Sequence, residues 1–140
     1  MTNSQVKYNA VMLIDDNEID NLINQKIIES SSITDNIYTH TGGKSAIEFL
    51  RNAEKIASKM GNNSFLPDVI FLDIDMPLMD GFQFLDEFER LPDRIKQHCK
   101  IVMLTSSINS KDIKRSKRYE YVKAYVNKPL TKDNLNAMKL

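Results

Sequence analysis

The sequence predicts an α/β fold: a five-stranded parallel sheet with helices on both faces. Three observations carry that expectation. Short apolar runs recur along the chain, each followed by a segment whose apolar residues repeat at helical spacing. The run Val69-Ile70-Phe71-Leu72 shows no polar alternation, the habit of a parallel strand buried on both faces. Several runs end on polar or charged residues, and ligands of open α/β sheets gather at the carboxyl ends of strands.

The first strand is expected over about Tyr8 to Ile14. It feeds a helix from about Glu18 to Ser30 whose apolar positions are Ile19, Leu22, Ile23 and Ile27. Ser30-Ser31-Ser32 ends that helix, and Asn36 to His40 reads as a short second strand. Thr41-Gly42-Gly43-Lys44-Ser45 hints at a phosphate-binding loop, but the first glycine of that motif would fall on Tyr38, so the signal fails. A glycine turn into a helix, with Thr41 near its cap, is the better account. That helix carries Ile47, Leu50, Ala53 and Ala57 on one stripe to about Met60, and Gly61-Asn62-Asn63-Ser64 stops it.

The central strand ends on Asp73. Pro77 bars regular structure from running straight on, and Asp80-Gly81 turns into a helix around Phe82 to Leu91 that buries Phe84, Leu85 and Phe88 and closes at Pro92. Lys100 to Leu104 forms the fourth strand. The helix from about Ser110 to Arg118 has only Ile108 and Ile113 as anchors among Lys111, Lys114, Arg115, Lys117 and Arg118, so it is expected to be loosely held. Val122 to Val126 makes the fifth strand. A last helix starts at about Lys132 under a Thr131 cap, with Leu135 and Met138 facing in. Five strand–helix alternations give (βα)5 with strand order 2-1-3-4-5.

At 140 residues the chain fits one domain, with a core over about residues 8–139 and no separate output domain. Net charge is zero, yet residues 1–89 hold 6 basic and 15 acidic side chains while residues 90–140 hold 13 and 4. No apolar run approaches membrane-spanning length, and Met1 to Asn9 lacks the apolar core of a secretory signal. Cys99 is alone, so no internal disulfide forms and a reducing cytoplasm is the expected location.

The strand ends carry the chemistry. Ala10 to Ile14 delivers Asp15 and Asp16, and the central strand delivers Asp73 to the same rim. Like charges so close are costly unless a cation or a shared proton offsets them, and an all-oxygen set favours a hard ion, Mg2+ above others. A helix cap would explain one carboxylate but not three. The fourth strand adds Thr105-Ser106-Ser107 and the fifth adds Asn127-Lys128-Pro129. Together they suit a phosphoryl group: Asp73 as oxygen nucleophile, Mg2+ and Lys128 to neutralise charge, Thr105 as donor.

At these residues the chain resembles the receiver domain of two-component response regulators. The resemblance rests on Leu13-Ile14-Asp15-Asp16-Asn17, on Leu72-Asp73-Ile74-Asp75-Met76-Pro77 with Asp80-Gly81, on Met103-Leu104-Thr105-Ser106, and on Tyr125-Val126-Asn127-Lys128-Pro129, in that order and over nearly the whole chain. It implies a flavodoxin-like three-layer sandwich of stand-alone type. Asp73 would take a phosphoryl group from a kinase phosphohistidine and catalyse its own phosphorylation and hydrolysis. Asp15, Asp16 and Asp73, with the backbone carbonyl of Asp75, would hold Mg2+, with Mn2+ as a substitute. Lys128 would pair with Asp73 and then with the phosphate, Thr105 and Tyr125 would form a switch pair, and Asp75, Ser106 and Ser107 would tune phosphoryl lifetime. Pro77 and Gly81 would be structural, and Pro129 would follow a cis peptide after Lys128.

The implied partners are a sensor histidine kinase or a histidine phosphotransfer protein, and a downstream protein target, with the domain a monomer or weak dimer. The kinase is expected on the first helix, at a side including Asn21, Asn24 and Gln25. The basic last third of the chain suits an acidic partner surface by electrostatic steering. Direct nucleic-acid binding and membrane insertion are not expected. Three other readings compete. A haloacid-dehalogenase-type phosphatase would use Asp73 and Asp75, but its later acidic motif is missing between Thr105 and Lys128, where only Asp112 and Glu120 stand. A flavodoxin would find its phosphate repelled by Asp15 and Asp16. A pseudo-receiver would lack a residue the chemistry needs, and none is lacking.

Overall fold

A computed structural model describes residues 6–138, so the polar start through Gln5 and the outer limit of the expected core at residue 139 lie outside the described residues. The elements in chain order are β1 (Val11–Ile14), α1 (Glu18–Ser31), β2 (Ile37–His40), α2 (Gly43–Met60), β3 (Val69–Asp73), α3 (Gly81–Glu89), α4 (Asp93–His98), β4 (Lys100–Thr105), α5 (Ser110–Ser116), β5 (Val122–Asn127) and α6 (Lys132–Ala137). The strands form one parallel sheet in the order β2-β1-β3-β4-β5, as the alternation of elements predicts.

Successive strand residues point to opposite faces, and this divides the interior into two cores. Met12, Ile14, Ile70, Leu72, Ile101 and Met103 pack with the stripe of α2 and with Phe84, Leu85 and Phe88 of α3. Val11, Leu13, Val69, Phe71, Val102 and Leu104 pack on the other face with Ile28 of α1 and Leu135 of α6. The three inner strands are thus buried on both sides, whereas the edge strands β2 and β5 are only partly covered.

Several details refine the expected elements. The third helix stops at Glu89, and Pro92 opens an additional short helix, α4, instead of simply closing α3; proline suits a helix start, where no amide hydrogen is needed. Gly42 stands at the cap of α2 with Thr41 next to it, in keeping with the expected glycine turn. α5 buries only Ser116, and Ile108 is exposed, so Ile108 is no anchor for that helix. Finally, β4 and β5 slip by one residue near Ile101–Val102, which brings Thr105 opposite Asn127. Cys99 is buried, and burial pushes its thiol far up, so it stays protonated. Among the described residues no helix is long and apolar enough to cross a membrane.

Candidate functional site

The register of β1 against β3 pairs Ile14 with Leu72, so Asp15 and Asp73 leave the sheet side by side. Both are only 2% exposed, while Asp16 is exposed. Oxygens of Asp15, Asp16 and Asp73 lie within 4.8 Å of one another. The carboxylates are free for this because Asn17 caps α1, accepting from the amides of Ile19 and Asp20 at 2.9 and 3.0 Å. Asp15 in turn accepts from the Asn17 amide at 2.9 Å.

Lys128 reaches in from the end of β5, its amide held by the Thr105 carbonyl at 2.7 Å. Its ammonium contacts Asp15 Oδ2 at 3.0 Å, Asp73 Oδ1 at 3.3 Å and Asp20 Oδ2 at 2.8 Å. Asp20 has no counterpart in the residues singled out from the sequence. The available signal was its place in the first turn of the helix that leaves this rim. Burial, with the charge of Asp15 beside it, raises the pKa of Asp73 from 3.8 to about 6, although Lys128 pulls the other way. Burial acts to lower the Lys128 pKa, but its hydrogen bonds to Asp20 and Asp15 and the charges of Asp15 and Asp73 outweigh it and raise the pKa.

The remaining predicted residues surround this centre. The Asp75 amide points back to Asp73 Oδ1 at 3.3 Å, and its side chain is exposed. Thr105 is buried, and its hydroxyl closes a local turn, donating to the Ser107 carbonyl at 3.0 Å and accepting from the Ser107 amide at 3.1 Å. Ser106 and Ser107 are exposed. The Tyr125 hydroxyl is buried without a hydrogen bond of good geometry. Burial raises its pKa, Asp112 adds to this, and the Asn109 backbone and Thr105 hydroxyl oppose it; on β5 Tyr125 stands two residues before Asn127, the cross-strand partner of Thr105. The Lys128–Pro129 peptide is cis. The donor set is therefore three clustered carboxylates, a composition that suits a hard divalent cation.

The chain matches a family model, the response regulator receiver domain, over residues 11–139. The chain belongs to that family. The receiver domain is 28% identical over 125 residues to the "Probable methanogenesis regulatory protein FilR2" of Methanothrix harundinacea, a match covering 89% of this chain and 75% of that protein. It is 29% identical over 120 residues to "Response regulator Rcp1" of Synechocystis, covering 85% of this chain and 76% of that protein. Rcp1 in its Mn2+-bound crystal form superposes with a TM-score of 0.66 at 27% identity, covering 91% and 86% of the two chains. A two-component response regulator from Cytophaga hutchinsonii superposes with a TM-score of 0.82 at 32% identity, covering 93% and 92%.

Two further features of the receiver domain bear on its surface. On α1 the polar residues Asn21 and Asn24 face inward, and Gln25 is half-buried, so the expected exposed side is wrong. The Asn21 amide group donates to the Asp15 carbonyl at 2.9 Å, and Asn24 Oδ1 accepts from the Leu130 amide at 3.0 Å. Those partners anchor the helix to the loops that carry Asp15 and Lys128. Ile19, Leu22 and Ile23 are left exposed.

The second feature is Leu78, fully exposed and in the left-handed region at φ 66°. It follows Pro77, whose carbonyl accepts from the Met79 amide at 2.6 Å in a tight turn. A branched side chain in this conformation is strained by about 1 kcal/mol. Leu78→Gly is expected to raise stability by about that amount, read as a higher urea midpoint at unchanged slope. A lower midpoint would show that the strain is absent.

Proposed function

We propose that this receiver domain is a phosphoaccepting response regulator in which Asp73 takes a phosphoryl group from the phosphohistidine of a sensor kinase or phosphotransfer protein. The observation that carries this reading is the buried Asp73 carboxylate, flanked by Asp15 and Asp16 and contacted by the Lys128 ammonium at 3.3 Å. An Asp73 oxygen attacks phosphorus, the donor's N–P bond breaks, and its electron pair leaves on the imidazole nitrogen, which takes up a proton. The product is an acyl phosphate on Asp73; attack of water on its phosphorus returns the carboxylate and releases inorganic phosphate.

Asp15, Asp16 and Asp73, with the Asp75 carbonyl, would hold Mg2+, or Mn2+ as in the Mn2+-bound form of Rcp1. When bound, the cation neutralises charge that builds on the transferring phosphoryl oxygens. Lys128 offers an ammonium to the same oxygens. The Thr105 hydroxyl leaves its turn with Ser107 to donate to the phosphoryl group, and Tyr125, lying beside it, follows as the switch. Asp75, Ser106 and Ser107 line the rim over Asp73 and tune access of water, while Pro77 and Gly81 shape the loop beneath.

The phosphodonor protein docks on α1, where Ile19, Leu22 and Ile23 present an apolar face next to the rim. Asn21 and Asn24 take no part in that contact because they are buried. Phosphorylation then changes binding to a downstream protein, or the phosphoryl group passes onward to a phosphotransfer histidine. The domain works in the cytoplasm, as a monomer or weak dimer.

Intact mass after incubation with phosphoramidate, with and without Mg2+, tests the chemistry. One added phosphoryl group is expected in the parent with Mg2+, and none in Asp73→Asn. An adduct that persists in Asp73→Asn would assign the acceptor elsewhere. A parent that stays unmodified, and that beryllofluoride with Mg2+ also fails to label, would make the domain a pseudo-receiver.

A further inference from the structure

Lys128 touches three carboxylates, and they are not equivalent. The shortest contact is to Asp20 at 2.8 Å, then Asp15 at 3.0 Å, then Asp73 at 3.3 Å. Asp15 and Asp73 are buried members of the three-carboxylate cluster, but Asp20 stands outside that cluster with its side chain 35% exposed. Its position is fixed by the first turn of α1, where its amide donates to the capping Asn17 side chain. Lys128 and a divalent cation would compete for Asp15 and Asp73 and would repel each other as like charges. Asp20 is the carboxylate that Lys128 does not share.

We propose that Asp20 is a positioning residue that keeps the Lys128 ammonium at the site when a divalent cation occupies the acidic cluster. The proposal rests on the phosphoacceptor reading above and adds a conditional role to it. Without the cation, Asp15 and Asp73 hold Lys128 whether or not Asp20 is present. With the cation bound, those two carboxylates are largely taken up, and Asp20 becomes the principal tether. Two plainer roles make different predictions. An acidic residue in a first helical turn favours the helix dipole, which would act on α1 with or without cation and leave Lys128 untouched. A rim ion pair of ordinary exposure contributes little, and its loss would change nothing measurable at Lys128.

The test uses the full chain as parent, Asp20→Ala and Asp20→Glu, with Mg2+ binding followed by calorimetry so that each protein is read at saturation. The first readout is the rate at which an amine-reactive acetylating reagent labels Lys128, followed by peptide mass with and without Mg2+. Lys128 is expected to be protected in the parent under both conditions. In Asp20→Ala it should be labelled about tenfold faster with Mg2+ but not without it, the scale of one charge-assisted hydrogen bond. Asp20→Glu should restore protection. The second readout is adduct formation on Asp73 against phosphoramidate concentration. Asp20→Ala should lower the saturating rate by about tenfold and leave the half-saturating concentration nearly unchanged.

Equal protection of Lys128 in Asp20→Ala and parent at saturating Mg2+ overturns the proposal. So does a loss of protection of the same size without Mg2+, which would mark a purely structural contact, and so does a parent that binds no Mg2+. A parent that binds Mg2+ but takes no phosphoryl group removes the phosphoacceptor reading, and the labelling result still decides the role of Asp20.

Discussion

Lys128→Met is expected to lower the stability of the metal-free domain by about 3 kcal/mol near pH 8, because it leaves buried carboxylates without their cation. The ammonium is only 13% exposed and serves Asp15, Asp20 and Asp73 at once, so no solvent replaces it well. The sign of the pH dependence follows from the groups concerned. Lys128 has its pKa raised in the folded state, so its contribution is complete below its ordinary value of 10.5 and is fully present near neutrality. Asp73 also has a raised pKa, so the protein favours its protonated form: stability linked to Asp73 is complete below 3.8 and is lost as pH rises through about 6.

Removing Lys128 takes away a group that holds the Asp73 pKa down, so Asp73 in the variant protonates at higher pH than in the parent. The deficit of Lys128→Met should therefore be greatest at alkaline pH, shrink as pH falls toward about 6 and level off below it, while saturating Mg2+ recovers part of it at high pH. Urea unfolding across that range, with and without Mg2+, measures it. A deficit that is flat with pH would mean that the carboxylates are not what Lys128 stabilises.

Gly81→Ala is expected to cost about 3 kcal/mol for a different reason. A Cβ built at Gly81 would lie 2.8 Å from Ile74 Cα and 3.1 Å from the Asp73 carbonyl oxygen, and both neighbours are backbone. The Gly81 amide also donates to the Ile74 carbonyl at 2.9 Å, so α3 starts pressed against the strand end that carries Asp73. Relief must come from moving either the helix, with Phe84, Leu85 and Phe88 buried behind it, or the strand end. The domain should lose stability in urea unfolding, and the phosphoryl adduct from phosphoramidate should form more slowly even where the variant is fully folded. Unchanged stability would show that the contact relaxes without disturbing either element.

These two residues illustrate what could be read from the sequence. Asp15, Asp73 and Lys128 stand at the ends of apolar runs, and parallel strands deliver such residues to one rim, so their meeting is legible in the sequence. Gly81 was legible as part of a turn, but the approach of Ile74 that makes it necessary is a contact across the fold. The orientation of α1 was not legible. Its apolar residues recur at helical spacing, yet the inward face is chosen by carbonyls of Asp15 and His40 and by the amide of Leu130, which lies 106 residues from Asn24. Asp20 was missed because it lies one turn into α1 and not at a strand end, so the rule that gathers Asp15, Asp73 and Lys128 at one rim does not reach it. α4 is one short segment of six residues, too brief for periodicity to reveal.

The outward apolar face of α1 has a consequence for how such a domain can diversify. Ile19, Leu22 and Ile23 belong to neither core, while Asn21, Asn24 and Ile28 on the same helix fasten it in place. The exposed apolar side chains proposed to meet a partner and the side chains that maintain the fold are therefore interleaved along one helix. A lineage can exchange the outward residues one at a time, acquiring or shedding partners, without passing through an unfolded ancestor.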